Sequence, residues 1–379
     1  MTDVALDEID LASGMVLGSV TGAEGWPAES QRESARQAIE AAILEALLRP
    51  PCLVSFSGGR DSSALLAVAV QLAAREGLPT PVPVTVRFAD ERSQEDEWQE
   101  SVIRHLGVDE WHKLPITSEL DLLADIGTSI LRRHGVRYPP NVHFQVPLLR
   151  LAPGGSLVSG AGGDELMQPH RWARAGLVVR GAVRPRPVDA LVVAVAYSPR
   201  PVRTRMHAGR SAIAPPWLTV EGRQSVRRRQ LEWVAGDRVR YDEHLEWWHR
   251  SRYLTHGQHS LELVARDHDV MFVAPFSDVR VMAALARDRR GVGFPSRTEA
   301  MRDLFGGVLP ERTISRSSKA SFSNPLIGPT TREFVADVDP SRFVPEALVD
   351  ADTLRAVWQE DFVDIRSLPM LQTCWLAAN

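Results

Sequence analysis

Two glycine-rich turns, 102 residues apart, restrict how this chain can fold more than any other feature. They are Ser57-Gly58-Gly59-Arg60-Asp61-Ser62-Ser63 and Ser159-Gly160-Ala161-Gly162-Gly163-Asp164-Glu165. Each follows a short apolar run, 52–56 or 156–158, that predicts a buried strand, and the first leads into an apolar helix at 64–74. A strand, a Gly/Ser turn and a helix N-terminus form an anion site, because unpaired backbone N–H groups and the helix dipole point at one spot.

The residue types of the first turn suit a phosphate ligand. Glycines let the backbone approach a phosphate closely, and the Ser57 and Ser62 hydroxyls add donors. Asp61 can hold Mg²⁺ against the phosphates. No Gly-Lys-Ser/Thr follows, so this is not the Walker pattern. The alternative for either turn alone is a tight connection between a strand and a helix.

Apolar strand candidates alternate with helix candidates on both sides of the first turn. The predicted strands are 52–56, 82–88, 110–115 and 156–159, and the predicted helices are 30–48, 62–75, 95–106, 119–134 and 142–151. This alternation predicts an α/β fold with a doubly wound parallel sheet, in which ligands bind at the carboxyl ends of the strands. Both glycine turns lie at such ends.

Composition changes divide the chain into four parts. We expect an N-terminal arm at 1–28, a nucleotide-binding region at 29–170, an Arg/Pro-rich insertion or flap at 171–243 and a mainly helical part at 244–379. Residues 171–252 contain 17 arginines and no lysine. They form either a solvated helical face with a loop or a basic flap that covers the nucleotide or grips a peptide.

The overall composition is that of a soluble globular protein. The hydrophobic content is 44% and the formal charge is −4, so nothing draws the whole chain toward nucleic acid or an acidic membrane. No apolar run is long enough to span a membrane, and the acidic N-terminus is not a signal peptide. Cys52 and Cys374 make neither a disulfide framework nor a metal cluster. We expect a cytoplasmic protein.

Lysine is scarce, because only Lys113 and Lys319 accompany 42 arginines. The bias itself indicates a GC-rich genome. It nevertheless draws attention to a lysine that remains, since a compact ammonium and a planar guanidinium do different work beside phosphates. Lys319 lies in a polar loop after Pro310 and is a candidate functional residue, whereas Lys113 follows Trp111-His112 at a probable strand and is interpreted as structural.

The two turns together resemble a known family. Ser-Gly-Gly-x-Asp-Ser resembles the pyrophosphate loop of N-type ATP pyrophosphatases. Ser-Gly-x-Gly-Gly-Asp-Glu resembles one subgroup of them, the asparagine synthetase family with its β-lactam synthetase and lasso-peptide cyclase relatives. The resemblance covers roughly residues 30–379. It implies that ATP is split to AMP and pyrophosphate, so that a carboxylate becomes an acyl-adenylate and is taken by an amine, with Mg²⁺ as the metal.

The resemblance also implies site residues. Asp61 and Asp164 match the paired aspartates that bind Mg²⁺, and Lys319 matches a loop lysine that contacts the phosphates and the acyl oxygen. Backbone groups near Val86 and Phe88 would contact adenine. The nucleotide-binding residues would be Ser57, Gly58, Gly59, Asp61, Ser62, Ser63, Gly160, Gly162 and Gly163.

The chain departs from the family pattern at three points. Glutaminase-bearing members have Cys directly after the initiator Met, where this chain has Thr2, so we expect no glutaminase and no use of glutamine. Ala161 and Met271 stand where β-lactam-forming relatives carry a Tyr and Glu pair that removes a proton; we expect these two apolar residues to shape the acceptor pocket. An amine must then lose its proton to water, to a product phosphate or to a residue such as His170 or Glu165.

The C-terminal sequence gives a narrower comparison. Its motifs look like those of actinobacterial lasso-peptide cyclases, and they are 316–322, 348–350, 354–355, Trp358, 371–372 and 375–377. We therefore predict an AMP-forming ligase that closes a macrolactam on a peptide. The alternatives are a small-molecule amide synthetase and a pseudo-enzyme that only binds ATP or a peptide. The expected partners are a peptide or small-molecule carboxylate, an amine, and a leader peptidase or leader-binding protein.

Overall fold

A parallel sheet lies at the centre of the part of the chain that the computed structural model describes, which is residues 5–20, 26, 33–88, 96–207, 214–316 and 326–379. Within these residues five strands pair in the order β3-β2-β1-β4-β5, and every pair is parallel. The strands are β1 (Cys52–Ser55), β2 (Val82–Phe88), β3 (His112–Ile116), β4 (Ser156–Val158) and β5 (Met271–Val273).

Helices make up most of the remaining described structure. Those up to β4 are α1 (Glu8–Ser13), α2 (Ala35–Leu47), α3 (Arg60–Glu76), α4 (Asp96–Leu106), α5 (Asp125–His134) and α6 (Val146–Leu149). Between β4 and β5 lie α7 (Gly163–Met167), α8 (Ala173–Val179), α9 (Pro187–Ala196), α10 (Arg200–His207), α11 (Val220–Gly236), α12 (Tyr241–His249) and α13 (Arg252–Asp267). After β5 follow α14 (Val279–Arg289), α15 (Arg297–Phe305), α16 (Glu311–Ile314), α17 (Pro329–Asp337), α18 (Ala351–Trp358) and α19 (Leu368–Ala378). Among the described residues, no helix is both long enough and apolar enough to cross a membrane.

Both faces of the sheet are buried, which confirms the predicted doubly wound α/β fold. Successive residues of a strand point to opposite faces. Val54 accordingly packs in one apolar cluster with α2, α3 and α14, whereas its neighbour Leu53 packs in another with α6 and α13. The run 52–56 is apolar without alternation for this reason, as is usual for a parallel strand covered on both sides.

The region after β4 is mainly helical, as predicted, but it also contributes a strand to the sheet. β5 pairs with β4 through Met271–Ser156 and Val273–Val158. The sequence analysis predicted no strand there. β4 is equally short, but the glycine turn that follows it marks it in the sequence, whereas no such turn follows β5.

The predicted helix at 119–134 begins later, at Asp125. The backbone N–H of Leu122 donates to the carbonyl of Leu326 at 3.0 Å instead of to a helical partner. The Asp121 carboxylate accepts from the N–H groups of Thr330 and Thr331 at 2.8 and 3.1 Å, and so caps the start of α17. Because residues 120–123 are held by this distant segment, they cannot form the first turn of α5.

Two other predicted helices also differ in extent. The prediction 30–48 appears as α2, whose first described turn is capped by Ser34, with its hydroxyl accepting from the N–H of Gln37 at 3.2 Å. The prediction 142–151 appears as a 3₁₀ turn, Val142–Gln145, followed by the single turn of α6. Pro147 within α6 lacks the N–H that a longer continuous helix would need.

Helix α1 lies in the segment predicted as an arm, where the sequence analysis predicted no regular structure. Its Asp10 is 2% exposed and forms an ion pair with Arg252 at the start of α13. Arg229 of α11 lies 3.3 Å from the same carboxylate. The indole N–H of the fully buried Trp217 donates to the Ala12 carbonyl at 2.7 Å. These contacts join the N-terminal segment to the helical part of the chain.

The Arg/Pro-rich part is helical in its described residues, where α8–α11 account for most of it. Arg203 of α10 is buried and donates to the carbonyls of Asp237 and Ala235 at 3.0 and 3.4 Å. Six large apolar side chains on α8–α10 or next to them are exposed, and they are Val179, Val188, Leu191, Tyr197, Val202 and Met206.

Removal of the Asp10 charge should destabilise the whole fold. Asp10→Ala leaves Arg252 without its buried partner, and breaking a buried pair from one side typically lowers the free energy of unfolding by about 3 kcal/mol. Urea denaturation followed by circular dichroism measures the change. The matched control is Glu8→Gln, which removes one negative charge from an exposed position of the same helix. Equal midpoints for the two variants would contradict a structural role for Asp10.

Candidate active site

The first glycine turn joins β1 to α3 at the carboxyl edge of the sheet. Gly58 has φ +86°, a conformation that residues with a Cβ adopt only with strain. Its carbonyl accepts from the buried guanidinium of Arg316 at 2.8 Å, and the carbonyl of Ser57 accepts from Gln99 at 2.9 Å. These two side chains thus hold two carbonyls of the turn, and the turn leads directly into the N-terminus of α3.

The two predicted hydroxyl donors of this turn lie side by side. The Ser57 and Ser62 hydroxyl oxygens are 3.1 Å apart, and Ser62 Oγ accepts from the Ser57 N–H at 3.2 Å. Ser57 Oγ also accepts from the Gly59 N–H at 3.2 Å. These backbone and hydroxyl groups thus lie together in one turn and bond to each other, and an anion bound there would take over their hydrogens.

The second glycine turn packs directly against the first. Gly162 has φ +88°, and a Cβ at Gly163 would lie 2.6 Å from the Asp61 carboxylate oxygen. Any side chain at Gly163 would therefore displace Asp61. Glycine at this position lets the N-terminus of α7 approach α3, and so brings Asp164 to the same site as Asp61.

One guanidinium bridges the two predicted metal ligands. Arg297, the first residue of α15, lies with Nη2 2.5 Å from Asp61 Oδ2, and its Nη1 contacts Asp164 Oδ1. Burial alone would lower the pKa of Arg297, but the Asp61 and Asp164 carboxylates raise the pKa above its ordinary value. Burial raises the pKa of Asp61, and the neighbouring Arg297 offsets only part of that rise. The two acids are close enough to need a shared cation.

The same two carboxylates offer oxygen ligands of the kind that Mg²⁺ takes, and an ion bound there would share them with Arg297. Asp61 Oδ1 is buried and has no hydrogen-bond partner among the described residues, so it is an available oxygen ligand. No group of three His, Cys, Asp or Glu side chains able to hold a metal occurs in the described part of the chain. Mg²⁺ commonly takes only one or two carboxylates and completes its coordination with water and substrate phosphates. Asp61 and Asp164 would hold it in this way.

A cavity of about 610 Å³ opens between the two turns. Its lining includes many of the predicted nucleotide-binding residues, namely Ser57, Gly59, Asp61, Ser62, Gly160 and Asp164, together with Ser55, Arg60, Ser159, Ala161, Gln168 and Arg297. The predicted residues Gly58, Ser63, Gly162 and Gly163 shape the turns but do not line this cavity. Ser63 is fully buried, and its hydroxyl has no partner among the described residues.

The remaining predicted site residues lie elsewhere. Val86 and Phe88 are in the C-terminal half of β2, the strand next to β1, and they do not line the cavity. Their proposed contact with adenine stays a prediction. Lys319 lies outside the described residues. Arg316, three residues earlier in the sequence, is described and donates to the Gly58 carbonyl of the first turn.

A second, smaller cavity of about 110 Å³ adjoins the first, because Ala161 lines both. Its wall is aromatic and includes Tyr138, Trp248 and Tyr253. The Tyr253 hydroxyl donates to Glu165 Oε1 at 2.9 Å. Burial, assisted by the nearby Glu165 charge, raises the pKa of Tyr138 to about 12 and also raises the pKa of Tyr253. Both phenols therefore stay protonated at neutral pH.

The three residues considered for binding or deprotonating the amine, Ala161, Met271 and His170, lie in different parts of the structure. Ala161 lines both cavities, whereas Met271, the first residue of β5, lines neither, and the role of Ala161 in an acceptor pocket stays a prediction. His170 packs away from both, with Nε2 3.1 Å from the Val239 carbonyl. Burial and the neighbouring His244 lower its pKa to about 4, so His170 is neutral at physiological pH.

Sequence reasoning missed Arg297 and the aromatic wall. Arg297 follows the helix cap Ser296, and a cation in the first turn of a helix opposes the helix dipole. This unfavourable position of Arg297 was the only sequence signal that its charge is paired with acidic residues from another part of the chain. The aromatic wall comes from Tyr138, in the loop after α5, and from Trp248 and Tyr253 around the start of α13, and nothing in their spacing indicates that they meet.

Comparison with known proteins identifies the family of this chain. The family model for asparagine synthase matches residues 34–373, which is most of the chain. A search of curated proteins gave no match. The matched range contains both glycine turns, all five described strands and Arg297. The chain therefore belongs to the asparagine synthase family.

Proposed function

We propose that this protein is an AMP-forming amide ligase that activates a carboxylate as its adenylate and joins it to an amine without using glutamine. The family forms amide bonds at the expense of ATP. The finer proposal rests on one observation above all: the anion-binding turn and the Asp61–Arg297–Asp164 cluster line a single cavity. This cavity can take a triphosphate with its metal.

The charges of the cavity suit the splitting of ATP between its α- and β-phosphates. The first turn offers backbone and hydroxyl donors to the pyrophosphate that leaves, and the two aspartates would hold Mg²⁺ beside it. Arg297 supplies a partly buried positive charge at the same point. Preorganised charges of this kind stabilise the negative charge that develops on the phosphates. Lys319 would add an ammonium from the segment that follows Arg316.

We further propose that the substrate is a peptide and the product a macrolactam. The support is the C-terminal motif resemblance to lasso-peptide cyclases and the space beside the active site. Tyr138 lines the small aromatic cavity and also a larger one of about 560 Å³, which reaches the segment before α1 and the end of α19. A chain of several residues could occupy both. A leader peptidase or leader-binding protein would then act on the same substrate.

One observation favours the small-molecule alternative. The aromatic cavity next to the phosphate site has a volume of only about 110 Å³, which suits a single side chain-sized group. A small amide synthetase would need no more than this cavity. Conversion of a linear peptide into a protease-resistant product would favour the cyclase. Acceptance of a short free amine as the only amine substrate would favour the synthetase.

The products of ATP distinguish the proposal from other ATP-dependent reactions. With Mg²⁺ and a panel of peptide and small carboxylates, a carboxylate that is accepted should support exchange of labelled pyrophosphate into ATP and yield AMP. The reason is that the turn is built for pyrophosphate and lacks the Walker lysine. Chromatography of the nucleotide products provides the measurement. Stoichiometric ADP would overturn the mechanism, and tight ATP binding without exchange would favour the pseudo-enzyme.

Loss of either aspartate charge should weaken both metal binding and turnover. Asp61→Asn and Asp164→Asn each remove a charged ligand, and we expect pyrophosphate exchange to fall on the order of 10²-fold or more. Higher Mg²⁺ concentrations should recover part of it. Asp352→Asn removes the same charge from an exposed position of α18 and should leave exchange unchanged. Full activity in both site variants would exclude the metal role.

Lys319 should affect turnover more than substrate binding. If its ammonium stabilises the charge of the transition state, Lys319→Ala should lower kcat by ~10²–10³-fold with little change in KM. Lys319→Arg should recover little, because a planar fork does not replace a compact charge among crowded oxygens. Steady-state kinetics and circular dichroism on both variants test this. Near-normal turnover in folded Lys319→Ala would remove Lys319 from the mechanism.

A further inference from the structure

The small cavity combines an aromatic wall with a single charge. Tyr253 packs against Tyr138 with ring centres 5.4 Å apart and against Trp248 with ring centres 5.6 Å apart. Among the described residues that line this cavity, Glu165 is the only one with an ionisable carboxylate, and no lysine or arginine lines it. The cavity is therefore an apolar, aromatic space with a net negative charge.

The carboxylate is oriented by the wall itself. Tyr253 donates its hydroxyl hydrogen to Glu165 Oε1, so the phenol fixes one oxygen of the carboxylate. Glu165 is only partly buried, and its side chain belongs to the cavity lining. A ligand that enters the cavity thus meets the Glu165 carboxylate and the faces or edges of three aromatic rings.

We propose that this cavity binds the amine substrate as an ammonium ion, with its charge against Glu165 and its apolar part against Tyr138, Trp248 and Tyr253. The assignment rests on the proposed ligase function, and it names the class of the second substrate as a primary ammonium that carries an apolar or aromatic group. Aromatic faces attract cations, and a carboxylate in an apolar surrounding attracts them more strongly than one in water. An anionic group would be repelled from the same position.

The position of the cavity is right for an amine acceptor. Glu165 follows Asp164 in α7, and the Asp164 carboxylate lines the neighbouring phosphate cavity. Ala161, which has no side chain beyond Cβ, stands between the two spaces and lines both. An ammonium held by Glu165 therefore lies next to the place where the activated carboxylate would form. Once the ammonium has lost one proton to water or to a product phosphate, its nitrogen can attack the activated carboxylate, and the prior ordering of the two reactants lowers the entropic part of the barrier.

Binding of a simple cation and its neutral analogue tests the proposal on the whole protein. Isothermal titration calorimetry would compare benzylamine, which is charged at neutral pH, with benzyl alcohol, which has almost the same shape. We expect benzylamine to bind at least about tenfold more tightly. Glu165→Gln should remove that preference and leave benzyl alcohol binding unchanged. Glu232→Gln, an exposed charge removal on α11, should change neither.

A second variant closes the cavity without changing its charge. Gly257 of α13 lines the cavity, and a Cβ added there meets no atom within 4 Å. Gly257→Leu should therefore fold, since leucine also favours a helix more than glycine does, and it should weaken both probes together. Binding of benzylamine that survives in Gly257→Leu, or equal affinity of the unaltered protein for both probes, would overturn the assignment.

Failure of this inference can be told apart from failure of the proposed function. Pyrophosphate exchange uses the carboxylate and ATP but no amine, so exchange by the unaltered protein tests the ligase proposal independently of what this cavity binds. An unaltered protein without any exchange would defeat the ligase proposal, whereas the calorimetry would still decide whether the cavity binds ammonium ions.

Discussion

Parallel pairing of β1 with β4 is the constraint on which the candidate site depends. Leu53 pairs with Leu157 and Val54 with Val158, so the two strands end at the same edge of the sheet. The two glycine turns, separated by about a hundred residues in sequence, consequently leave that edge side by side. The chain between the two turns includes β2 and β3, which pair on the other side of β1.

The close approach of the two turns brings the Asp61 and Asp164 carboxylates near each other, and a residue much further along the chain offsets their repulsion. Two carboxylates that face one cavity repel each other unless a cation lies between them. Arg297 provides that cation from α15, and α15 itself packs through Met301 and Phe305 into the cluster that covers one face of the sheet. The helical C-terminal part thus completes the site that the sheet begins.

Two buried polar contacts link parts of the chain that are distant in sequence to the elements around the two cavities. Asp10 near the N-terminus pairs with Arg252, the first residue of α13, and α13 carries Tyr253 of the aromatic wall. The N-terminal helix therefore supports the element that lines the second cavity. Arg316 makes the corresponding link for the C-terminal part, since it holds the Gly58 carbonyl of the first turn.

Local pattern alone was enough to predict the doubly wound sheet, four of its strands and the two turns with Asp61 and Asp164. Those features have a short-range physical cause, because residues close together in sequence determine strand burial, glycine turns and helix starts. The partners of these residues were decided by tertiary structure. No glycine turn marks β5, the start of α5 is held by the segment at 326–331, and Arg297, Glu165 and Tyr253 come from three separate helices. Distance in sequence hides such contacts, since only the packing of the helices on the sheet brings their side chains to one place.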